Sequence, residues 1–113
     1  MKKLLFILAA LSSVSAYAGT STGGTITGFS PYSSGTVEIL IFKTSTLTGT
    51  PACNTTQRFA INSNNIRYSN TTAAVMTAYS ANKIVQVKGL GTCNVWGNAE
   101  DVDVICVGDM PCW

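Results

Sequence analysis

Met1 to Ala18 constrains this chain more than any other segment. Lys2 and Lys3 form a basic head, Leu4 to Leu11 is an unbroken apolar run, and Ala16-Tyr17-Ala18 is a small-x-small exit. Those are the three parts of a secretory signal peptide, so cleavage is expected between Ala18 and Gly19. The apolar run is too short to span a bilayer. The expected folded unit is therefore a single domain, Gly19 to Trp113, that is not membrane-spanning and is secreted or periplasmic in a bacterium.

A domain of that size holds a small core and is commonly stapled. Cys53, Cys93, Cys106 and Cys112 are an even set in an exported chain, which makes two disulfides the expectation and leaves three connectivities. Cys106 and Cys112 lie close in sequence, with Gly108 and Pro111 between them to bend the chain back. Pairing those two leaves Cys53–Cys93 to join two long loops. Four thiolates at tight metal-ligand spacings are absent, so no metal site is expected.

Beyond the leader, Lys43, Arg58, Arg67, Lys83 and Lys88 balance Glu38, Glu100, Asp101, Asp103 and Asp109. The cations are scattered singly, which gives neither a nucleic-acid footprint nor a polybasic membrane patch. About a third of the domain is Ser, Thr or Asn, a neutral surface of hydroxyls and amides that is typical of secreted bacterial β-proteins and equally suits neutral polar ligands such as glycans. Histidine is absent, which removes Ser-His-Asp and Cys-His nucleophile systems. No phosphate-cradling Gly-rich loop is present, and no cofactor is expected. Glu100, Asp101 and Asp103 are the one carboxylate cluster that could serve a glycosidase. At the start of a strand they are expected to be solvated edge residues, and the chain is read as no enzyme.

Alternation and turn residues divide the domain into five strands and a helix. Gly19–Gly24 is a polar lead-in, a frayed end or an edge extension. Strands are expected over Thr25–Ser30, Thr36–Lys43, Gln57–Asn62, Ile84–Lys88 and Asp101–Val107, with a turn at Pro31–Gly35. Within Thr36–Lys43, Val37, Ile39 and Ile41 share one face while Glu38, Leu40 and Phe42 share the other, so this strand is expected to be central. Ser69 or Asn70 can cap a helix over Thr71–Ala81, and Asn82 suits a left-handed terminator. The order strand, strand, strand, helix, strand, strand fits a five-stranded antiparallel OB-like barrel, mainly β with one helix. The alternative is an open α+β sheet with one packed helix.

Two aromatic residues are candidates for ligand contact. Trp96 lies in the polar Thr92–Glu100 loop, where an indole can stack on a sugar ring while Asn94 or Asn98 bonds hydroxyls; the same indole can instead fold over the barrel as core. Tyr32, with Ser33 and Ser34, sits in the first turn, where a tyrosine either packs or meets ligand.

The second half runs helix, strand, Gly89-Leu90-Gly91-Thr92-Cys93, Trp96 loop and acidic strand. With the Ala78–Cys93 stretch, it resembles the B-subunit-like proteins of the subtilase cytotoxin and pertussis-like toxin group, over roughly Thr25 to Val107. The resemblance implies an OB-fold subunit that binds glycans or glycoproteins on a host cell, assembles as a homo-oligomer (a ring of five) and delivers a catalytic A-type subunit. In that group sialylated glycans are held through a Ser or Tyr-Ser element, for which Tyr32-Ser33-Ser34 is the nearest local match. The expected function is a secreted, non-enzymatic glycan-binding subunit. The rival is a periplasmic inhibitor or protein-binding module without a sugar site.

Overall fold

The computed structural model describes residues 18–113. The rest of the signal-peptide expectation lies outside the described residues. Five strands and one helix follow in order: β1 (Thr20–Ser34), β2 (Val37–Thr44), β3 (Phe59–Asn62), α1 (Tyr68–Ala81), β4 (Ile84–Gly89) and β5 (Glu100–Val107). The strands close a ring in the order β1-β2-β3-β5-β4, and α1 packs on β1 and β5. The expected β-rich, one-helix OB-like barrel is present. It is not wholly antiparallel: β3 runs parallel to β5 through Phe59↔Glu100 and Ala60↔Asp101. The chain crosses from β3 through α1 and β4 before returning beside β3, and that route sets the two strands in the same direction.

β1 is longer than alternation indicates, and its two halves serve different neighbours. Thr20–Thr25 pairs with β4, and Ile26–Ser34 pairs with β2. The Gly19–Gly24 lead-in is therefore mostly strand, and Pro31–Ser34 extends the hairpin instead of turning it. Register shifts fall between Thr22 and Gly24 and between Ile26 and Gly28. Gly23 has φ +72° at the first shift, a left-handed conformation that lets the strand bend from one partner to the other. Pro31 is tolerated because β1 there has a neighbour on one side only.

Ile26, Leu40, Phe42, Phe59, Ile61, Val85, Val87 and Val102 fill the barrel, and Val75 and Ala78 of α1 join them. The Phe42 and Phe59 rings stack with centroids 5.5 Å apart. A second cluster outside the ring holds Ile39, Ile41, Ala60 and Ala99, with Val37, Val95 and Trp96 against it. β2 is thus covered on both faces, as its two apolar stripes imply. In β5 the alternation breaks: Lys88 faces Val104 but Gly89 faces Val102. The inward set steps from Val102 to Ile105 and Val107, so Val104 and Cys106 do not continue the Val102 face.

The helix starts before the expected Thr71. Its N-cap is Arg67, with no side-chain cap bond, so neither Ser69 nor Asn70 caps it. The Arg67 N–H donates to Asn65 Oδ1 at 2.9 Å, and the Arg67 guanidinium meets Asp103 Oδ1 at 3.0 Å. Thr71, Val75 and Ala78 form the buried stripe, while Met76 and Tyr79 are exposed. Asn82 is left-handed at φ 51°, ending the helix as expected. Asn82→Ala is expected to cost about 1 kcal/mol in urea unfolding, because a Cβ without a local hydrogen-bonding amide is disfavoured in that conformation.

Both disulfides join the expected partners. Cys53–Cys93 has Cα atoms 6.2 Å apart and Cys106–Cys112 5.9 Å. Among the described residues no helix is long and apolar enough to cross a membrane.

Candidate functional site

The loop from Leu90 to Ala99 is built around two acids at the start of β5. Asp101 is buried. Its carboxylate accepts hydrogen bonds from Thr92 Oγ1 at 2.6 Å, from Asn94 N–H at 3.0 Å and from Val95 N–H at 2.9 Å. Its own backbone N–H donates to the Thr92 carbonyl at 2.7 Å, and its carbonyl accepts from Leu90 N–H at 2.9 Å. One side chain thus ties down the segment that carries Cys93, Val95 and Trp96.

Glu100 is fully buried at 0% exposure. Its carboxylate accepts from Gly19 N–H at 2.9 Å and from Gly91 N–H at 2.9 Å. Burial pushes its pKa above the ordinary carboxylate value, the two backbone donors oppose that shift, and the neighbouring Asp101 adds to it. Glu100 and Asp101 are therefore not solvated edge residues. The expectation fails because their partners are backbone N–H groups brought in by the fold, which residue type does not disclose.

With the loop held this way, Trp96 lies half-buried over Ile39, Ile41, Ala60 and Ala99. The outer face of β2 and β3, where OB-type barrels take ligands between their loops, is covered by the chain's own Val95 and Trp96. Tyr32 reaches the same face from β1, opposite Ile39. The Tyr32 and Trp96 rings stack with centroids 5.3 Å apart and an interplanar angle of 30°. Tyr32 remains 47% exposed. The two aromatic candidates, far apart in sequence, form one pair.

The polar candidates divide. Ser33 lines a groove of about 420 Å³ beside Tyr32, within the size range of ligand pockets. Ser34 is exposed at the end of the hairpin and does not line it. Asn94 contributes its backbone to the Asp101 clamp. The Asn98 Oδ1 accepts from Arg58 Nη2 at 3.0 Å, and the Asn98 carbonyl accepts from Thr56 Oγ1 at 2.6 Å. Asn98 therefore braces the entry to β3, away from the groove's lining.

The groove runs between the overhanging β1–β2 hairpin and the first turns of α1. Glu38 lines it from the hairpin, and Tyr68, Ser69, Thr72 and Met76 line it from the helix. The Thr72 Oγ1 is buried and has no hydrogen-bond partner among the described residues. None of these residues is a candidate from sequence. The one available signal is Glu38, a lone charge on the face of β2 that otherwise carries Leu40 and Phe42. Comparison of the chain with protein-family models, with curated protein sequences and with solved structures finds no match.

Proposed function

We propose that this protein is an exported, non-enzymatic binding module that recognises neutral, hydroxyl-rich glycans at the groove beside the Tyr32–Trp96 pair. The observation that carries the reading is that Tyr32, stacked on Trp96 and 47% exposed, also lines a groove of hydroxyls and one carboxylate. An exposed aromatic face offers apolar contact to a sugar ring. Ser33, Ser69 and Thr72 offer donors and acceptors, and the Glu38 carboxylate can accept from hydroxyls.

The charge in the groove narrows the ligand. Among the described residues Glu38 is its one ionic residue and no cation lines it, so a carboxylate-bearing sugar would meet like charge. The reading therefore departs from the sialylated ligands that the toxin resemblance implies. An open groove of this size gives a weak single site, and use on a cell surface would lean on several copies held together. A homo-oligomer carrying a separate catalytic chain is the assembly in which such a site would serve delivery.

A glycan array tests the reading. The oxidised domain is expected to bind neutral glycans over sialylated ones. Trp96→Ala and Glu38→Ala are each expected to weaken binding about tenfold or more, with the fold retained by circular dichroism. A silent array at high glycan density, or a preference for sialylated glycans, overturns it. Ile84 and Met110 are exposed and line a second groove at the opposite end of α1, which favours the protein-binding alternative. That alternative requires a monomer by light scattering and capture of one protein partner at about 1:1.

A further inference from the structure

The two oxygens of the buried Glu100 carboxylate converge on a single nitrogen: Gly19 N lies 3.1 Å from Oε1 and 2.9 Å from Oε2. Gly19 is also the residue that the leader's exit pattern would expose as a new N-terminus. Two of the three glycines around the carboxylate leave it the space it occupies. A Cβ on Gly19 would stand 2.5 Å from Glu100 Oε1, and one on Gly89 would fall on the carboxyl group itself. Gly19 is held by its other end too, its carbonyl accepting from Gly89 N–H at 2.9 Å. The site is a fitted cradle for one nitrogen, closed on its apolar side by Leu47 and Thr50.

We infer that removal of the leader creates a buried ion pair, in which the freed α-ammonium of Gly19 is held by the Glu100 carboxylate and locks β1 to β5. An endopeptidase of the export machinery hydrolyses the Ala18–Gly19 amide. The C–N bond breaks, water supplies hydroxyl to the Ala18 carboxyl and hydrogen to the Gly19 nitrogen, and that nitrogen takes up a solvent proton at neutral pH. Before cleavage the nitrogen brings one neutral N–H to two buried oxygens. Afterwards it brings a full charge and three donors to the same place.

Among the described residues no cation pairs with the carboxylate. The charged groups on the packed elements are Asp101 and Asp103 on β5, Lys88 on β4 and Arg58 ahead of β3, and Asp103 is paired with Arg67. Asp101 is turned to Thr92, Asn94 and Val95, and Arg58 to Thr56 and Asn98. Among the described residues neither Lys88 nor Arg58 hydrogen-bonds Glu100. Burial raises the Glu100 pKa in the uncleaved arrangement, so its stability contribution is present at low pH and lost as pH rises through that raised value. A paired ammonium offsets the loss. The ammonium's own pKa rises above its ordinary value of about 7.7–8.0. Its contribution is therefore complete below that value and disappears as pH climbs through the raised one.

The test compares oxidised protein beginning at Gly19 with protein beginning at Ala16, each with Glu100 or with E100Q. With Glu100, the Gly19 form is expected to have a folding constant about a hundredfold larger near neutral pH by urea unfolding. The gap should close at acid pH, close again at alkaline pH, and be absent with E100Q. Equal stability of the two forms, or a gap indifferent to alkaline pH, overturns the inference. Should E100Q fail to fold, titration of the Gly19 amine by NMR decides, since an ordinary α-amino value overturns the pair and a raised one supports it. Mass spectrometry of the exported product must also find Gly19 first; a different first residue overturns the proposal. Each of these outcomes is independent of glycan binding.

Discussion

Asp101→Ala is expected to destabilise the domain by about 3 kcal/mol or more and to release the loop above β2 and β3. The substitution leaves the Thr92 hydroxyl and the Asn94 and Val95 N–H groups without their shared acceptor. Hydrogen bonds to a charged group contribute roughly 1.5–3 kcal/mol each, and donors left in a part-buried setting add a desolvation penalty. Amide hydrogen exchange locates the effect: Asn94 and Val95 should lose protection first, while Leu40 and Val87 in the barrel keep theirs. Freeing the loop also uncouples Trp96 from Tyr32, so the proposed glycan binding should fall before the barrel melts. Asp101→Asn is the milder variant, because it keeps one acceptor oxygen for the two backbone donors. If Asp101→Ala left both stability and exchange unchanged, the clamp would have no energetic role.

Removing the Cys53–Cys93 bridge by changing both residues to Ser is expected to have an effect of similar size, about 4 kcal/mol, from the closure entropy of a separation of 40 residues. The bridge joins the loop before β3 to the loop before β5. Those strands meet through only two register pairs, the fewest of any neighbours in the ring. The disulfide therefore staples the shortest seam. The Cys106–Cys112 bridge spans 6 residues, and its loss should release the tail at smaller cost. Urea midpoints of the two double-Ser variants test the order. A larger loss from the tail bridge would contradict the assignment of the long bridge to the seam.

Much of the architecture is legible in sequence because periodicity reports burial. The paired stripes of β2 indicate a strand covered on both faces, and it is covered, by the barrel on one side and by Trp96 on the other. The disulfide pairing follows from Gly108 and Pro111 bending a short tail. Asn82 marks the helix end because few residue types adopt a left-handed backbone. What escapes alternation are the places where a strand changes partner or gains a residue. The Pro31–Gly35 segment reads as a turn, since a one-sided hairpin overhang tolerates the same residues a turn requires. The extra residue of β5 between Val102 and Val104 shifts which valines face inward.

Of the candidate site, sequence marks only the aromatic pair. Tyr32 and Trp96 stand out as large rings in polar segments, and the fold brings them together. Glu38 and Thr72 face the same groove only because the hairpin overhangs α1, a juxtaposition of distant segments. Glu100 looks solvated for the same reason: its partners, Gly19 and Gly91, lie 81 and 9 positions away. A residue satisfied by the backbone of another element leaves no local mark.

The brevity of the β3–β5 seam also governs when the ring can shut. Until Cys53 and Cys93 are joined, β5 is secured along β4 on one edge and by two residues on the other. A half-closed sheet with free strand edges is the form most prone to pair with other chains. A reduced chain should therefore stay open, remaining pliable enough to be threaded but needing protection from its own kind. On the proposed export route the oxidant then acts as a clock, completing the cylinder only where thiols are lost.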